Sequence, residues 1–416
     1  MSVRAWAGAC ALAALALLSV PLAAAGPEVV PAAGRGGDPD WVLGPFGDGL
    51  GIDGDAYIHL ERVALALYAA LLLFVRALPA RLVWTAVAVL VGLFAAAPPL
   101  LSLDVFSYVS YARLEALYGL NPYEHAPAAV PGDEALAFVE DWSDSVSVYG
   151  PLFTSLTLPL GELSVGAAVW SLKAAAGAAV LLIAWVVARL AALRGVDPRF
   201  AVTLVALNPL VLVHVVGGAH NDALMAALMT LSVAGVVLAR PLLGGIGIVA
   251  ASTVKASALL VAPFALLGGD RPRRLTAGLL LGTALLVGLG LAAFGGSVGE
   301  AAKVIGQNQG LTSRASLPGT LSRELGLDLD LARVGCLALY GVALGWLLVW
   351  TLRGADWVRA VGWGALGLLV ATSYLTPWYV IWALPHAAVS RDRLQAAAAV
   401  AVSAFLLREQ VPGLGG

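Results

Sequence analysis

Residues 165–190 read VGAAVWSLKAAAGAAVLLIAWVVARL, a run broken only by Lys173 before Arg189 near its end. A helix on the surface of a soluble protein needs a polar stripe along one side, and this run has none. At about 1.5 Å rise per residue it is also long enough to cross the roughly 30 Å of bilayer hydrocarbon. The stretch predicts a transmembrane helix, and the composition around it is of the same kind. Of 416 residues, 60% are hydrophobic and 12% charged, with a mean hydropathy of +0.89; soluble chains carry about a quarter charged residues. In lipid a helix satisfies all its own backbone polar groups, so the chain is read as an all-α integral membrane protein. That excludes a soluble enzyme, a disordered tail and a secreted disulfide scaffold. A net charge of −2 with no long Lys/Arg run argues against nucleic acid as a partner, because phosphate neutralisation needs clustered cations. Cys10 and Cys336 lie far apart in apolar stretches and give neither a disulfide framework nor metal-ligand spacing.

Working outward towards the N-terminus, the long external loop 101–163 precedes the quoted helix. Up to Gly150 it carries eight acids against Arg113 alone; its last part, Pro151 to Leu163, is too short and Pro-interrupted for a span and reads as re-entrant or interfacial. Helices at Tyr57–Leu78 and Leu82–Leu101 flank a turn with Arg76 and Arg81, the mark of an inward-facing connection. Residues 26–56, with six acids against Arg35, read as an external loop. Residues 1–25 read equally as a transmembrane helix or as a secretory signal ending at Ala23-Ala24-Ala25. Towards the C-terminus, basic connections recur at Arg189/Arg194/Arg199, Arg240, Arg271/Arg273/Arg274, Arg353/Arg359 and Arg391/Arg393. All fall inside with spans at Phe200–Val216, Asn221–Ala239, two short segments meeting at Ser252–Lys255, then Leu275–Phe294, Leu331–Leu352, Val358–Tyr374, Trp378–Val389 and Leu394–Leu407. A second external loop covers 295–330. The sum is a bundle of 11–13 transmembrane helices forming one polytopic domain over 57–416. No internal repeat is visible, which weakens an inverted-repeat transporter.

Charges at membrane depth cost a few kcal/mol each, so each asks for a reason. In Leu103-Asp104-Val105-Phe106-Ser107-Tyr108-Val109-Ser110-Tyr111-Ala112-Arg113, a helix would put Asp104, Tyr108, Tyr111 and Glu115 on one face. A carboxylate beside two aromatic hydroxyls at the membrane exit suits a sugar; a helix cap and an aromatic belt are the plainer alternative. Asn121-Pro122-Tyr123 and Tyr149-Gly150-Pro151 are turn signals. In Gly217-Gly218-Ala219-His220-Asn221-Asp222 the glycines permit close backbone approach, and His220 with Asp222 suits a hydroxyl, a phosphate or a metal. The alternative makes Asn221 or Asp222 an N-cap and His220 an interfacial residue; one His and one Asp do not make a metal site. Lys255 interrupts apolar sequence at a break between half-length segments, where irregular backbone lines cavities and an ammonium favours phosphate or carboxylate. Lys173, inside a long helix, is read as snorkelling. Gln307-Asn308-Gln309-Gly310 and Arg314 offer donors to an anionic, hydroxylated ligand or form a solvated connection. Ser373-Tyr374-Leu375-Thr376-Pro377-Trp378-Tyr379 sets three aromatics around a proline, as an interfacial anchor or as a surface for sugar rings and isoprenoid chains.

The loop with Leu103-Asp104-Val105-Phe106-Ser107-Tyr108 and Gly119-Leu120-Asn121-Pro122-Tyr123, then Tyr149-Gly150-Pro151-Leu152, Asn208-Pro209-Leu210, Gly218-Ala219-His220-Asn221-Asp222 and Thr376-Pro377-Trp378-Tyr379 occur in that order over residues 101–385. Together they resemble the polyprenol-phosphate-mannose-dependent α-1,6-mannosyltransferases of actinobacteria, members of the GT-C superfamily. The resemblance implies a GT-C-like bundle in the bacterial plasma membrane with its active site on the extracytoplasmic side. It implies transfer of a sugar, most simply mannose, from a polyprenyl-phosphate donor to a hydroxyl of a glycolipid or polysaccharide acceptor, with inversion. Asp104 matches the family's loop carboxylate and is expected to be the general base. His220, Lys255 and Arg314 are expected at the leaving phosphate, Tyr108, Asn121, Tyr123 and Asp222 at the sugars, and Trp378 and Tyr379 near the donor. Tyr111, Arg113, Tyr149, Asn221 and Asn308 complete the expected binding set. No cofactor or metal site is expected, and dependence on a divalent cation is left open. The lack of a Gly-rich nucleotide-phosphate loop agrees with a lipid-linked donor. The chain is shorter than the lipomannan-elongating members, which leaves the acceptor open. The alternative class is a transporter or flippase with Lys173, His214, Asp222 and Lys255 as an intramembrane relay.

Overall fold

The computed structural model describes residues 2–37, 40–47, 49–139, 142–297, 299 and 311–408. Helix accounts for 76% of the structure, and the described residues hold no strand. The N-terminal half comprises α1 (Val3–Ala23), α2 (Gly54–Phe74), α3 (Ala80–Ala96), α4 (Asp104–Tyr118), α5 (Pro151–Thr157), α6 (Val165–Leu193) and α7 (Pro198–Ala206). A π-helical segment, Val211–Gly217, precedes α8 (Asp222–Val237), α9 (Pro241–Ser252), α10 (Val261–Gly268) and α11 (Pro272–Phe294). The C-terminal part holds α12 (Leu317–Leu325), α13 (Leu329–Leu352), α14 (Trp357–Ala371), α15 (Leu384–Val389) and α16 (Arg393–Leu406).

Among the described residues, five helices are long and apolar enough to cross a membrane: α1, α2, α6, α11 and α13. The bent pair of α7 and the π-helical segment, which meet at 58°, makes a sixth if counted as one span, and six apolar helices of 10–17 residues accompany them. The bend follows from Asn208-Pro209: proline has no N–H for the helical ladder. Asn208 covers the break, its Oδ1 accepting from the Leu210 N–H at 2.9 Å and its Nδ2 donating to Ser403 Oγ at 3.1 Å.

Packing follows the scarcity of a hydrophobic drive between helices in lipid, where small residues let backbones close up. α9 lies against both α8 and α11. A Cβ on Gly245 would sit 2.5 Å from the Leu275 carbonyl oxygen, and one on Gly278 2.2 Å from that of Leu242, so neither position tolerates a side chain.

The connections sort onto two faces. On one, Arg194 pairs with Asp356, Arg391 donates to the Arg194 carbonyl, Arg199 reaches the Leu78 carbonyl, and Arg359 pairs with Asp392. On the other, the loop after α1 meets the start of α4: the Leu101 N–H donates to the Val29 carbonyl at 3.0 Å, and Trp41 packs on Phe106 and Phe138.

Two expectations are corrected. Trp378–Val389 is not one helix; a 3-10 segment, Pro377–Trp382, is followed by the short α15, because Pro385, inside the expected span, removes a ladder donor. Lys173 does not snorkel to an interface. It is fully buried, with backbone carbonyls around its Nζ.

Candidate active site

Asp104 is the first residue of α4. Ahead of it Leu101 adopts a left-handed backbone (φ 59), and Ser102 Oγ accepts from the Asp104 N–H at 3.2 Å. The carboxylate therefore stands at a helix N-terminus, where the backbone dipole favours negative charge, and its side chain is 28% exposed.

The facing wall comes from the end of the π-helical segment. Gly218 leaves no room for a side chain, since a Cβ would meet the His214 carbonyl oxygen at 2.5 Å, and Ala219 turns the chain through φ 55. This delivers His220 so that its Nδ1 lies 3.3 Å from Asp104 Oδ2, outside hydrogen-bond geometry. The imidazole stacks on Trp378 with centroids 3.6 Å apart and 13° between planes. Among the described residues, neither ring nitrogen of His220 has a hydrogen-bond partner. Asn221 takes the N-cap position of α8 without capping it. Its backbone N–H donates to Tyr108 Oη at 3.4 Å, while both polar atoms of its buried side chain are without a partner among the described residues.

The next residue opens a second cluster. Asp222 is buried, and Lys255 Nζ lies 2.9 Å from each of its carboxylate oxygens. Trp382 Nε1 donates to Asp222 Oδ1 at 2.6 Å. The ammonium sits over the rings of Tyr379, at 4.3 Å, and Trp382, at 5.3 Å, which stack on each other. Lys255 reaches this position because α9 ends at Ser252 and leaves it in extended backbone. Gly150 touches the same break: a Cβ there would lie 1.9 Å from the Thr253 carbonyl oxygen. That contact brings Tyr149 edge-on to Tyr108 at 4.8 Å and near Tyr111 at 6.1 Å. Burial first, and then the charge on Asp104, push the Tyr149 phenol well above its ordinary value, so it stays a neutral donor.

The structure thus gathers Asp104, Tyr108, Tyr149, His220, Asn221, Asp222, Lys255, Trp378 and Tyr379. Other nominated residues are engaged elsewhere. Arg113 donates to both Asp133 oxygens and to the Leu163 carbonyl, and Tyr118 also reaches Asp133. Asn121 holds the Phe294 carbonyl at 2.8 Å, and the Tyr123 hydroxyl lies between the Tyr149 carbonyl and Thr154. Tyr111 Oη donates to the Ser145 carbonyl. Arg314 is exposed; its neighbour Ser313 bonds to Ser373 and Leu375, on the approach to Trp378. Asn308 lies outside the described residues. The relay suggested for a transporter falls into separate contacts: Lys173 with carbonyls, His214 with Glu61 at 2.9 Å, and Asp222 with Lys255. Sequence reasoning missed Trp382. The signal was its spacing of three from Tyr379 after Pro377, which the three-residue period of a 3-10 turn puts on one face. Asp104 and His220 would give a metal two ligands, and among the described residues no group of three or more His, Cys, Asp or Glu is gathered.

A family model described as the N-terminal domain of alpha-(1->6)-mannopyranosyltransferase matches residues 6–268, and one for the MptB C-terminal domain matches 315–412. An alpha-(1->6)-mannopyranosyltransferase A of Mycobacterium tuberculosis is 33% identical over 347 residues, covering 73% of this chain and 65% of that protein. The protein so named in Corynebacterium glutamicum is 30% identical over 174 residues, 40% of this chain and 35% of its own. The alignments thus span less than two thirds of either relative. No solved structure matches. The first model covers more than half of the chain and includes Asp104, His220, Asp222 and Lys255, and the chain belongs to the alpha-(1->6)-mannopyranosyltransferase family.

Proposed function

We propose that the chain is a membrane mannosyltransferase that moves mannose from a polyprenyl-phosphate donor to a hydroxyl of a glycolipid or polysaccharide acceptor, with Asp104 as general base. The observation that carries the reading is a part-exposed carboxylate at a helix N-terminus, 3.3 Å from a buried imidazole with no hydrogen bond of its own among the described residues. The names of the relatives supply the sugar and the linkage type.

The chemistry is a single displacement. The acceptor oxygen attacks the anomeric carbon from the side opposite the phosphate, and the bond from that carbon to the phosphate oxygen breaks, so the configuration inverts. Asp104 takes the acceptor's proton, and the phosphate leaves with the bonding electrons. A positioned base contributes about 10²–10⁴ to such a step. The growing charge on the phosphate needs donors held in place beforehand. His220 offers a free ring nitrogen. Lys255, already bound to Asp222, offers what is left of its three N–H groups through the exposed quarter of its side chain. Trp378 and Tyr379 present aromatic faces to the sugar or the first isoprene units.

Arg194, Arg199, Arg359 and Arg391 gather on one face and Asp104 lies away from them, which under the positive-inside rule supports a site outside the cytoplasm of a bacterial plasma membrane. The test is Asp104→Asn assayed with radiolabelled polyprenyl-phosphate mannose and a panel of glycolipid acceptors. Turnover should fall at least about 100-fold while the protein stays folded. A variant as active as the wild type overturns the assignment.

A further inference from the structure

Lys173 is the one cation in the middle of α6, and nothing in the transfer chemistry uses it. Its Nζ lies 3.2 Å from the Phe94 carbonyl, 3.3 Å from that of Pro98, 3.4 Å from that of Val216 and 2.5 Å from that of Gly217. The first two belong to the end of α3 and the strap after it; the last two end the π-helical segment. Helix C-termini expose carbonyls without backbone partners, and a cation is favoured there. Here one side chain closes two such ends at once. The Gly217 carbonyl also accepts from the Leu100 N–H at 3.2 Å, so both segments and the amine meet at one oxygen.

Those two segments carry the reacting pair. The strap runs from Pro98 through the left-handed Leu101 to Asp104, and the π-helical end runs from Gly217 through the left-handed Ala219 to His220. Nothing bonds Asp104 to His220 directly, since their 3.3 Å approach lacks hydrogen-bond geometry. What joins the two segments from behind therefore bears on their separation, beside the stacking of His220 on Trp378 and the Asn221–Tyr108 bond. We propose that Lys173 is a positioning residue that fixes the Asp104–His220 separation by clamping α3 to the π-helical segment. The proposal rests on the transferase reading for its kinetic consequence but not for the clamp itself.

The test compares the wild type with Lys173→Met, Lys173→Gln and Lys173→Arg in detergent, by hydrogen exchange and by mannosyl transfer from radiolabelled polyprenyl-phosphate mannose. In both neutral variants, exchange should quicken in peptides spanning residues 94–108 and 211–224 and stay unchanged in α13. The rate constant per folded molecule should drop by about 100-fold, the effect of a roughly 1 Å misplacement, with the donor KM within threefold of wild type. Lys173→Arg should fall between. The proposal is overturned if a neutral variant keeps its rate within threefold, if exchange in the two segments does not change, or if it quickens throughout the protein. Failure of both neutral variants to fold overturns it too, because the lysine then holds the whole fold rather than the site. Should the wild type itself transfer no mannose, the transferase reading fails and the exchange pattern alone decides the clamp.

Discussion

The two ends of α4 treat their polar groups in opposite ways. Near the C-terminal end, Arg113 and Asp133 form a buried ion pair at 2.8 Å, and the Leu163 carbonyl, the Tyr118 hydroxyl and the Ala135 N–H complete it. At the N-terminal end, the two nitrogens of His220 and the amide of Asn221 are buried with no partner among the described residues. An unsatisfied buried polar group costs about 1–3 kcal/mol. A fold that surrounds Asp133 with donors had the means to satisfy His220. On the proposed reading, a ligand completes the hydrogen bonding at the N-terminal end, and the C-terminal end is scaffold.

The largest effect that tests this contrast belongs to the scaffold. Asp133→Ala strands a buried guanidinium, and removing one partner of a buried pair costs about 3–5 kcal/mol. Thermal unfolding in detergent should show that loss, while transfer per folded molecule stays near wild type. A turnover defect without a stability defect would make Arg113 part of the site after all. The converse change is His220→Leu, which replaces an unsatisfied imidazole by an apolar group against Trp378. Transfer should fall about 100-fold, as for loss of a group that assists proton or charge movement. The melting temperature should hold or rise, because no bonded partner is lost. If His220→Leu destabilises as much as Asp133→Ala, the two ends are alike and the contrast is gone.

Much of this architecture was readable from residue order. The apolar run around Lys173 and the arginine-marked connections set the membrane class and brought the basic loops together, and a helix from Asp104 puts Tyr108 on the carboxylate's face. Pairings distant in sequence were not readable. Nothing local says that Arg113 is claimed by Asp133, that Asn121 holds Phe294, or that His220 lies flat on Trp378. A sequence shows polarity and period but not which acceptor a long side chain meets once helices pack. Lys173 shows the limit best. A lone lysine in an apolar helix normally sends its amine to the interface, and only the meeting of α3 with the π-helical end supplies the carbonyls that keep it inside.

The smallest effect lies on the seam between the two regimes. Tyr108 belongs to α4, yet its hydroxyl is the acceptor for the Asn221 backbone N–H at 3.4 Å, one of the amides that a helix start leaves without a partner. Its ring is held independently, edge-on to Tyr149 at 4.8 Å and Phe153 at 4.9 Å, so Tyr108→Phe removes the acceptor and leaves the packing. The expected loss is about 1 kcal/mol, the net value of one such bond. Because that bond also sets the height of Asn221 in the crevice, the loss should appear in the donor KM, by up to about fivefold, more than in unfolding. A fall in stability with the donor KM unchanged would assign Tyr108 to the scaffold and move the boundary one turn closer to Asp104.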